Sequence, residues 1–258
     1  MKTLCKTLIF ILLFPTSIFS NNELEELIRQ KVENLDISNK LTEHVEVFCV
    51  SSLKEVYLEE NFTPFWTEKS KIKELISILK SSYKEGLVPE DYHLSEINVL
   101  VDGKTTENKA NLDIVLSDAF LLYSSHLLAG KTNPVNIDPS WHVVKTEKNP
   151  EKYLYRVKKM DVKDIITDIM PLNDNYGALK EQLAYLKGIE RSGFEINIEA
   201  GPVLRPGMVD SRIPKIRQIL NVYEYFHAQA NSTSEFYDDT LKQAVISFQK
   251  NHGLEALG

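Results

Sequence analysis

The chain of 258 residues carries 30 Lys and Arg against 37 Asp and Glu, a formal net charge of −7, with 43% hydrophobic and 26% charged residues. These values exclude a wholly disordered chain, a collagen-like repeat and a multi-span membrane protein. The acidic balance also argues against a dedicated nucleic-acid binder, because such proteins need basic surface to neutralise phosphates. A chain of this length predicts one large domain, or a medium domain followed by a small one.

Residues 1–20 have the pattern of a secretory signal peptide. Two lysines precede an apolar run at 8–14, which is too short to cross a bilayer of roughly 30 Å, and Ser20 offers a small residue for cleavage. An uncleaved membrane anchor is the alternative. We therefore expect an exported protein, periplasmic or associated with the cell envelope, with no membrane span after signal removal. Cys49 is then the single cysteine, so packing rather than a disulfide must stabilise the fold.

Apolar residues recur at steps of three and four in several later segments, which predicts amphipathic helices. These segments are 72–83, 112–127, 162–169 and 176–186. Ser70 is a candidate N-cap of the first of these helices. The residues predicted to end the four helices are, in chain order, Gly86, Gly130, Pro171 and Gly188. Because most of the pattern has the helical period, the predicted fold class is mainly α.

Other patterns are few. Two-residue alternation is limited to 194–198, which predicts one brief, isolated strand. The stretch 188–206 is rich in Gly and Pro and predicts a connection between two helical units. A second irregular stretch, 130–150, is too long for a simple turn, and loops of such length inside a compact domain are often functional.

The C-terminal part of the chain has a recognisable order of residues. It reads Leu-Arg-Pro-Gly-Met-Val-Asp-Ser-Arg-Ile-Pro from Leu204, and Tyr-Asp-Asp-Thr-Leu-Lys-Gln-Ala-Val from Tyr237. Asp238 or Asp239 can cap a helix, and Gly253 can end it in the left-handed conformation. These residues resemble the small helical peptidoglycan-binding domain of many cell-wall enzymes. That family continues into a further helix, so the resemblance implies an incomplete copy.

Motifs further upstream occur in an order that sharpens this resemblance. They are Gly-Leu-Val-Pro-Glu-Asp-Tyr-His at 86–93, the helix at 112–120, Leu-Ala-Gly-Lys at 128–131, Asp-Pro at 138–139, and Trp141. The order is similar to the scaffold region of large exported L,D-transpeptidases. We therefore expect a signal peptide at 1–20, a helical scaffold domain at 23–190, a linker at 191–202 and a peptidoglycan-binding-like domain at 203–258, incomplete at its C-terminus.

The catalytic motif of that family is missing from this sequence. Its members are similar in a following domain, where the cysteine of a Ser-His-Gly-Cys string attacks a peptide-stem carbonyl after activation by histidine. Cys49 instead has apolar neighbours, which predicts a half-buried structural thiol. In the run His252-Gly253-Leu254, leucine stands where the thiol would have to be. We therefore predict no catalytic residue and no transpeptidase activity from this chain alone.

Metal and cofactor chemistry finds little support in the sequence. The six histidines are scattered and show no His-Glu-x-x-His or paired spacing, so we predict no metal site. Folding could bring Asp91 to His93, or Asp118 to His126. No phosphate-binding loop, serine-hydrolase elbow or kinase motif occurs, and we predict no cofactor.

Aromatic and arginine side chains are the candidate ligand contacts. Sugar faces stack on aromatic rings, and arginine binds the carboxylates of peptide stems through two parallel hydrogen bonds. The candidates are Trp66, Trp141 and Tyr237 for stacking, and Arg205, Arg212 and Arg217 for carboxylates. We assign ligand binding to Arg212, Tyr237 and Trp141. Core packing is the alternative for Trp66, and a solvated helix face is the alternative for Arg217.

Together these features predict the non-catalytic, peptidoglycan-binding scaffold part of an exported L,D-transpeptidase-like protein involved in cell-wall cross-linking. Peptidoglycan is the expected partner, and a truncated or degenerate copy of a longer protein is the expected origin. One alternative is a stand-alone binding or adaptor protein of the envelope. Another is a cell-wall hydrolase or transpeptidase that uses Cys49 or an unrecognised metal site. The sequence leaves the oligomeric state open.

Overall fold

The computed structural model describes residues 16–35, 39–137, 140, 149–226 and 233–258. Helices dominate this part of the chain, which confirms the predicted mainly α class. The α-helices are α1 (Thr16–Asn34), α2 (Val50–Glu59), α3 (Lys69–Lys80), α4 (Leu94–Leu100), α5 (Thr106–Ala129), α6 (Pro134–Ile137), α7 (Glu151–Leu154), α8 (Val162–Ile169), α9 (Asp174–Arg191), α10 (Ile213–Val222) and α11 (Asp239–Asn251). Short 3-10 helices cover Ser82–Glu85, Pro89–Tyr92 and Tyr155–Lys158. Most of the predicted signal peptide and Trp141 lie outside the described residues.

Two compact units divide the chain: Met1–Lys180, called unit 1, and Glu181–Gly258, called unit 2. The division falls within α9, inside the predicted helix at 176–186 and ahead of the predicted linker at 191–202. The domain boundaries proposed from sequence at 190, 202 and 203 stay a prediction.

Helix α5 is the centre of unit 1 and is buried on every side. Each residue from 110 to 121 is buried, and α1, α2, α3, α4 and α8 pack around the helix. The Thr105 hydroxyl caps its N-terminus by accepting a hydrogen bond from the Asn108 N–H at 3.1 Å. The predicted helix over 112–127 is confirmed. Its apolar residues surround the axis instead of forming one stripe, as expected of a core helix.

This burial also explains the composition of α5. Among the residues that the structure describes, α5 is the helix whose length and apolar character would suffice to cross a membrane. Sequence analysis expected no such segment after residue 20. Because 67% of its most apolar window is buried within the protein, core packing accounts for that character.

A buried carboxylate on α5 fixes a neighbouring segment from inside the core. Asp113 accepts hydrogen bonds from the backbone N–H groups of Phe65 at 3.1 Å and Trp66 at 2.8 Å, and from the Tyr57 hydroxyl at 2.6 Å. Burial raises the pKa of Asp113, although these donors oppose the shift. Trp66 Nε1 donates to Ser117 Oγ at 3.1 Å, and Trp66 is only 5% exposed. Trp66 is therefore a core residue.

The other predicted helices are confirmed, α3 and α9 with shifted ends. Helix α3 begins at Lys69, so Ser70 lies in its first turn and is not the N-cap. Gly86 follows the next 3-10 helix with a φ of 73°, a left-handed conformation that glycine adopts without a Cβ clash. Helix α8 has the predicted bounds. Helix α9 continues past Gly188, and none of its residues is buried.

Strands play a small part in the described residues. An antiparallel hairpin pairs β1 (Lys40–Thr42) with β2 (Val45–Glu46), and an isolated bridge joins Val209 to Phe236. The predicted strand at 194–198 is wrong, because the segment is irregular. Alternation alone does not make a strand when no second strand lies alongside to bind its backbone groups.

Unit 2 packs α10 against α11 around a small apolar cluster. The buried members of the cluster are Ile213, Leu220, Phe226, Tyr237, Leu241 and Ala244. Asp238, rather than Asp239, is the N-cap of α11, since it accepts a hydrogen bond from the Leu241 N–H at 2.8 Å. Gly253 follows the helix with a φ of 67°, as predicted. Local capping and a shared apolar face thus define this unit.

Candidate functional site

Asp118 of α5 is the centre of a buried polar cluster in unit 1. Its side chain is fully buried and accepts hydrogen bonds from the backbone N–H groups of Phe48 at 2.9 Å and Cys49 at 2.7 Å. Its Oδ2 also lies 2.6 Å from His93 Nε2. Because Phe48 and Cys49 directly precede α2, this carboxylate fixes the start of α2 to the central helix.

His93 is held by its backbone and its ring together. Its φ of 56° is left-handed, a conformation uncommon for residues other than glycine, and it immediately precedes α4. Its side chain is 6% exposed and stacks on Phe48, with ring centroids 5.1 Å apart and planes inclined by 15°. Phe48 itself is 58% exposed. The stack therefore connects the buried Asp118 cluster to the surface.

The surroundings of Cys49 favour its protonated thiol. Cys49 is half-buried and makes no disulfide. Burial, the charge of Asp118 and a hydrogen bond to Asp118 together raise the pKa of the Cys49 thiol far above its ordinary value. A nucleophilic cysteine needs the opposite shift, which exposes a thiolate at neutral pH. This geometry supports the predicted structural role.

An open, charged cleft lies over the Asp118 cluster in unit 1. Its volume is ≈ 590 Å³. The hairpin β1–β2, the 3-10 helix Pro89–Tyr92 and the end of α5 supply its walls. The lining residues are Lys40, Glu43, His44, Glu46, Phe48, Glu90, Asp91, His93, Glu96, Leu122, His126 and Lys131. Sequence reasoning did not find this cleft, because its residues come from segments up to ninety positions apart.

The histidines pair differently from the sequence expectation. Asp91 forms an ion pair with Lys131 at 2.5 Å instead of approaching His93. His126 Nδ1 lies 2.9 Å from the Tyr92 hydroxyl. Within the described ranges, no group of three or more His, Cys, Asp or Glu side chains converges closely enough to hold a metal ion.

A second concave surface, an apolar groove of ≈ 400 Å³, lies in unit 2. Its lining residues are Ile198, Val203, Leu204, Ile216, Ile219, Leu220, Tyr237, Val245, Phe248, Gln249, Leu257 and Gly258. Tyr237 is 5% exposed, and burial raises its pKa. Its ring therefore belongs to the wall of the groove and to the core of unit 2 at once, and its assigned ligand role stays a prediction.

Arg212, the second assigned ligand residue, binds partners within unit 2. Its Nε lies 2.8 Å from Asp210 Oδ1, and its Nη2 donates to Asp210 Oδ2 at 3.0 Å and to the Pro202 carbonyl at 2.9 Å. The guanidinium also covers Gly201, where an added Cβ would meet Nη1 at 2.5 Å. Arg212 thus fixes the segment that leads into α10.

The pairing of Arg212 with Asp210 predicts a measurable titration. Hydrogen bonds from Arg212 lower the pKa of Asp210 from 3.8 to about 2. The stabilisation is therefore present above the unfolded-state pKa, about 4, and is lost as the pH falls through the folded-state pKa. We expect Arg212→Ala to return the pKa of Asp210 towards its ordinary value in an NMR titration. Lys215→Ala is the control, since that cation contacts the Phe194 ring instead. A wild-type pKa near the ordinary value would contradict the pairing.

The two remaining arginines have opposite surroundings. Arg217 is buried, and its Nη2 donates to Asp238 Oδ2 at 2.8 Å and to the Phe236 carbonyl at 2.7 Å. The interpretation of Arg217 as part of a solvated helix face was therefore wrong, because its guanidinium is buried and forms an ion pair with Asp238, the N-cap of α11. Arg205 is exposed, follows Leu204 of the apolar groove, and has no ion-pair partner within the described part of the chain. Of these arginines, Arg205 is the one left available to a ligand.

Comparison with known proteins identifies the family. A family model described as a scaffold domain matches residues 51–183. The matched region runs from α2 into α9 and contains α5 with the Asp118 cluster. No curated protein matches the chain significantly. Because the matched region covers more than half of the chain, this protein belongs to the scaffold domain family.

Proposed function

We propose that this protein is the non-catalytic, peptidoglycan-associated scaffold part of an exported L,D-transpeptidase-like system. The observation that carries the proposal is the succession along the chain. A scaffold-family region at 51–183 is followed by unit 2, whose residues from Leu204 onward resemble a peptidoglycan-binding domain. The role of such a protein is to hold cell-wall material, while cross-linking would require a separate catalytic domain.

The surface of unit 2 supports a binding role. Its apolar groove is lined by the partly buried ring of Phe248 and by the edge of the buried Tyr237, and the exposed residue Arg205 follows directly after a groove residue. Rings accept the apolar faces of sugars, and arginine binds carboxylates through two parallel hydrogen bonds. Peptidoglycan carries both groups, sugars in its strands and carboxylates in its stem peptides.

The setting of Cys49 argues for a non-catalytic role. Acyl transfer through a thioester would require a thiolate, and burial next to Asp118 keeps this thiol protonated. The enzyme alternative based on Cys49 is therefore the less favoured one.

The test is co-sedimentation of the protein with purified peptidoglycan sacculi, followed by separation of the muropeptides. We expect the protein in the pellet and an unchanged muropeptide profile, the same for wild type and Cys49→Ser. Arg205→Ala should weaken sedimentation several-fold, whereas Lys250→Ala, which removes an equal charge from exposed α11 surface, should not. A protein that stays wholly in the supernatant would refute the proposed function. Cleavage or exchange of stem peptides that disappears in Cys49→Ser would establish the enzyme alternative.

A further inference from the structure

The turn that follows α2 carries the acceptor sequence for N-linked glycosylation. Asn61-Phe62-Thr63 has the pattern Asn-x-Thr with a residue other than proline in the middle, which predicts a surface acceptor in an exported protein. Bacterial oligosaccharyltransferases also select an acidic residue two positions before the asparagine, because a basic side chain of the enzyme binds it, and Glu59 stands there. The other Asn-x-Ser/Thr sequence of the chain begins at Asn231 and has Gln229 in that position. Asn61 therefore satisfies the complete pattern, and Asn231 does not.

Asn61 has the surroundings of a glycan attachment site in the folded protein. It directly follows Glu60, the C-cap of α2, and is exposed. Its φ of 52° is left-handed, a conformation that asparagine tolerates better than most residues. Its backbone N–H donates to the Leu58 carbonyl at 3.2 Å, which fixes the turn, whereas its side-chain amide makes no hydrogen bond to any described residue. A sugar attached to this amide would therefore extend into solvent without breaking a contact of the fold.

The threonine hydroxyl of the acceptor sequence is, in contrast, closed off by the fold. Thr63 Oγ1 donates to the Glu60 carbonyl at 2.8 Å and accepts from Lys158 Nζ at 2.7 Å. A transferase that binds this hydroxyl needs both contacts open. Because Lys158 follows Thr63 by 95 positions, the turn cannot close until that later segment has arrived. The acceptor sequence is therefore available while the chain emerges from the membrane, and the folded protein still accommodates the product.

We propose that Asn61 is N-glycosylated during export, with an oligosaccharide linked to a polyprenyl diphosphate as the donor. In the transfer, Asn61 Nδ2 forms a bond to the anomeric carbon of the first sugar and gives up one proton to a base of the transferase. The bond between that carbon and the diphosphate oxygen breaks, and the polyprenyl diphosphate leaves with the electron pair. The proposal rests on the export that the proposed function includes, since the transfer takes place on the far side of the membrane. It does not depend on binding to peptidoglycan.

The test is mass spectrometry of the protein purified from its own cells after separation of cytoplasm and envelope, with tryptic peptide 55–69 as the diagnostic fragment. We expect an envelope protein that carries an oligosaccharide on this peptide. Asn61→Gln and Thr63→Ala should abolish the modification, whereas Thr63→Ser, which retains a hydroxyl, should preserve it. Glu59→Gln, which can still accept the hydrogen bond from the Tyr155 hydroxyl, should lower the occupied fraction at least tenfold. The control Asn231→Gln should leave that fraction unchanged.

A transfer reaction with purified bacterial oligosaccharyltransferase and its lipid-linked donor tests the order of events. The synthetic peptide 55–69 should be modified at least tenfold faster than the folded, unmodified chain. Equal rates would contradict transfer before folding, and a peptide that is not modified would overturn the proposal.

The cellular result also separates this proposal from the proposed function. An envelope protein without a glycan at Asn61 would overturn the glycosylation and leave the proposed function intact. A glycosylated chain that does not pellet with sacculi would refute only the wider function. A chain found only in the cytoplasm would refute both, because neither holds without export.

Discussion

Replacing Asp118 by alanine is expected to lower the free energy of unfolding of unit 1 by about 3–5 kcal/mol, because it removes the fully buried carboxylate to which Phe48, Cys49 and His93 are hydrogen-bonded. Two backbone N–H groups, those of Phe48 and Cys49, would lose their acceptor, and His93 Nε2 would lose its partner. Each buried donor left without an acceptor costs about 1–3 kcal/mol. Urea denaturation followed by circular dichroism measures the loss.

Two further variants make this result specific. Asp118→Asn keeps one carbonyl oxygen and the shape of the side chain, so we expect an intermediate loss. It also removes the negative charge beside Cys49, which should speed alkylation of that thiol. Asp102→Ala, an exposed aspartate outside the cluster, should change stability by no more than about 0.5 kcal/mol. An Asp118→Ala protein as stable as Asp102→Ala would show that the buried cluster does not hold the start of α2.

Replacing Asp238 by alanine is expected to destabilise unit 2 by about 2–4 kcal/mol, because one side chain has two structural roles. It caps α11 through the Leu241 N–H, and it pairs with Arg217, whose side chain is 4% exposed. Burial alone would raise the pKa of Asp238, but these hydrogen bonds outweigh it and leave the pKa lowered. Alanine would remove the cap and leave the buried guanidinium without its carboxylate. Hydrogen exchange of the α10 and α11 amides in the full chain measures the change.

The neighbouring aspartate provides a matched control. Asp239 is exposed in the first turn of α11 and makes no cap, so Asp239→Ala should cost at most about 1 kcal/mol through the helix dipole. Arg217→Met, which fills the same space without a charge, should be less damaging than Asp238→Ala, since it leaves no buried charge behind. Equal exchange rates for Asp238→Ala and Asp239→Ala would refute this account.

Periodicity and capping residues were sufficient to predict much of the fold. Helix α8 matches its apolar repeat, and the caps at Asp238 and Gly253 follow from local chemistry that needs no knowledge of the distant chain. The burial of α5 on every side was harder to predict from the sequence, because a core helix and an amphipathic helix share the same spacing of three and four residues. The signal that distinguished them was the apolar content of the remaining positions, which sequence analysis did not use.

The candidate site depended on distant pairings that periodicity does not encode. Asp118 stands in an apolar helix, which hinted at a buried carboxylate, but nothing nearby in sequence identifies Phe48, Cys49 and His93 as its partners. The solvated-face interpretation of Arg217 was wrong for the same reason, because its partner Asp238 lies beyond the loop that joins the two helices.

Helix α9 offers an experimental convenience because none of its residues is buried. An introduced thiol such as Ala184→Cys would stand in water, whereas the native Cys49 is kept protonated and half covered. Maleimide dyes at neutral pH should therefore label the new position selectively, without first removing the natural cysteine. A fluorophore placed there would report on cell-wall attachment from a site that disturbs neither the apolar interior nor the two concave surfaces.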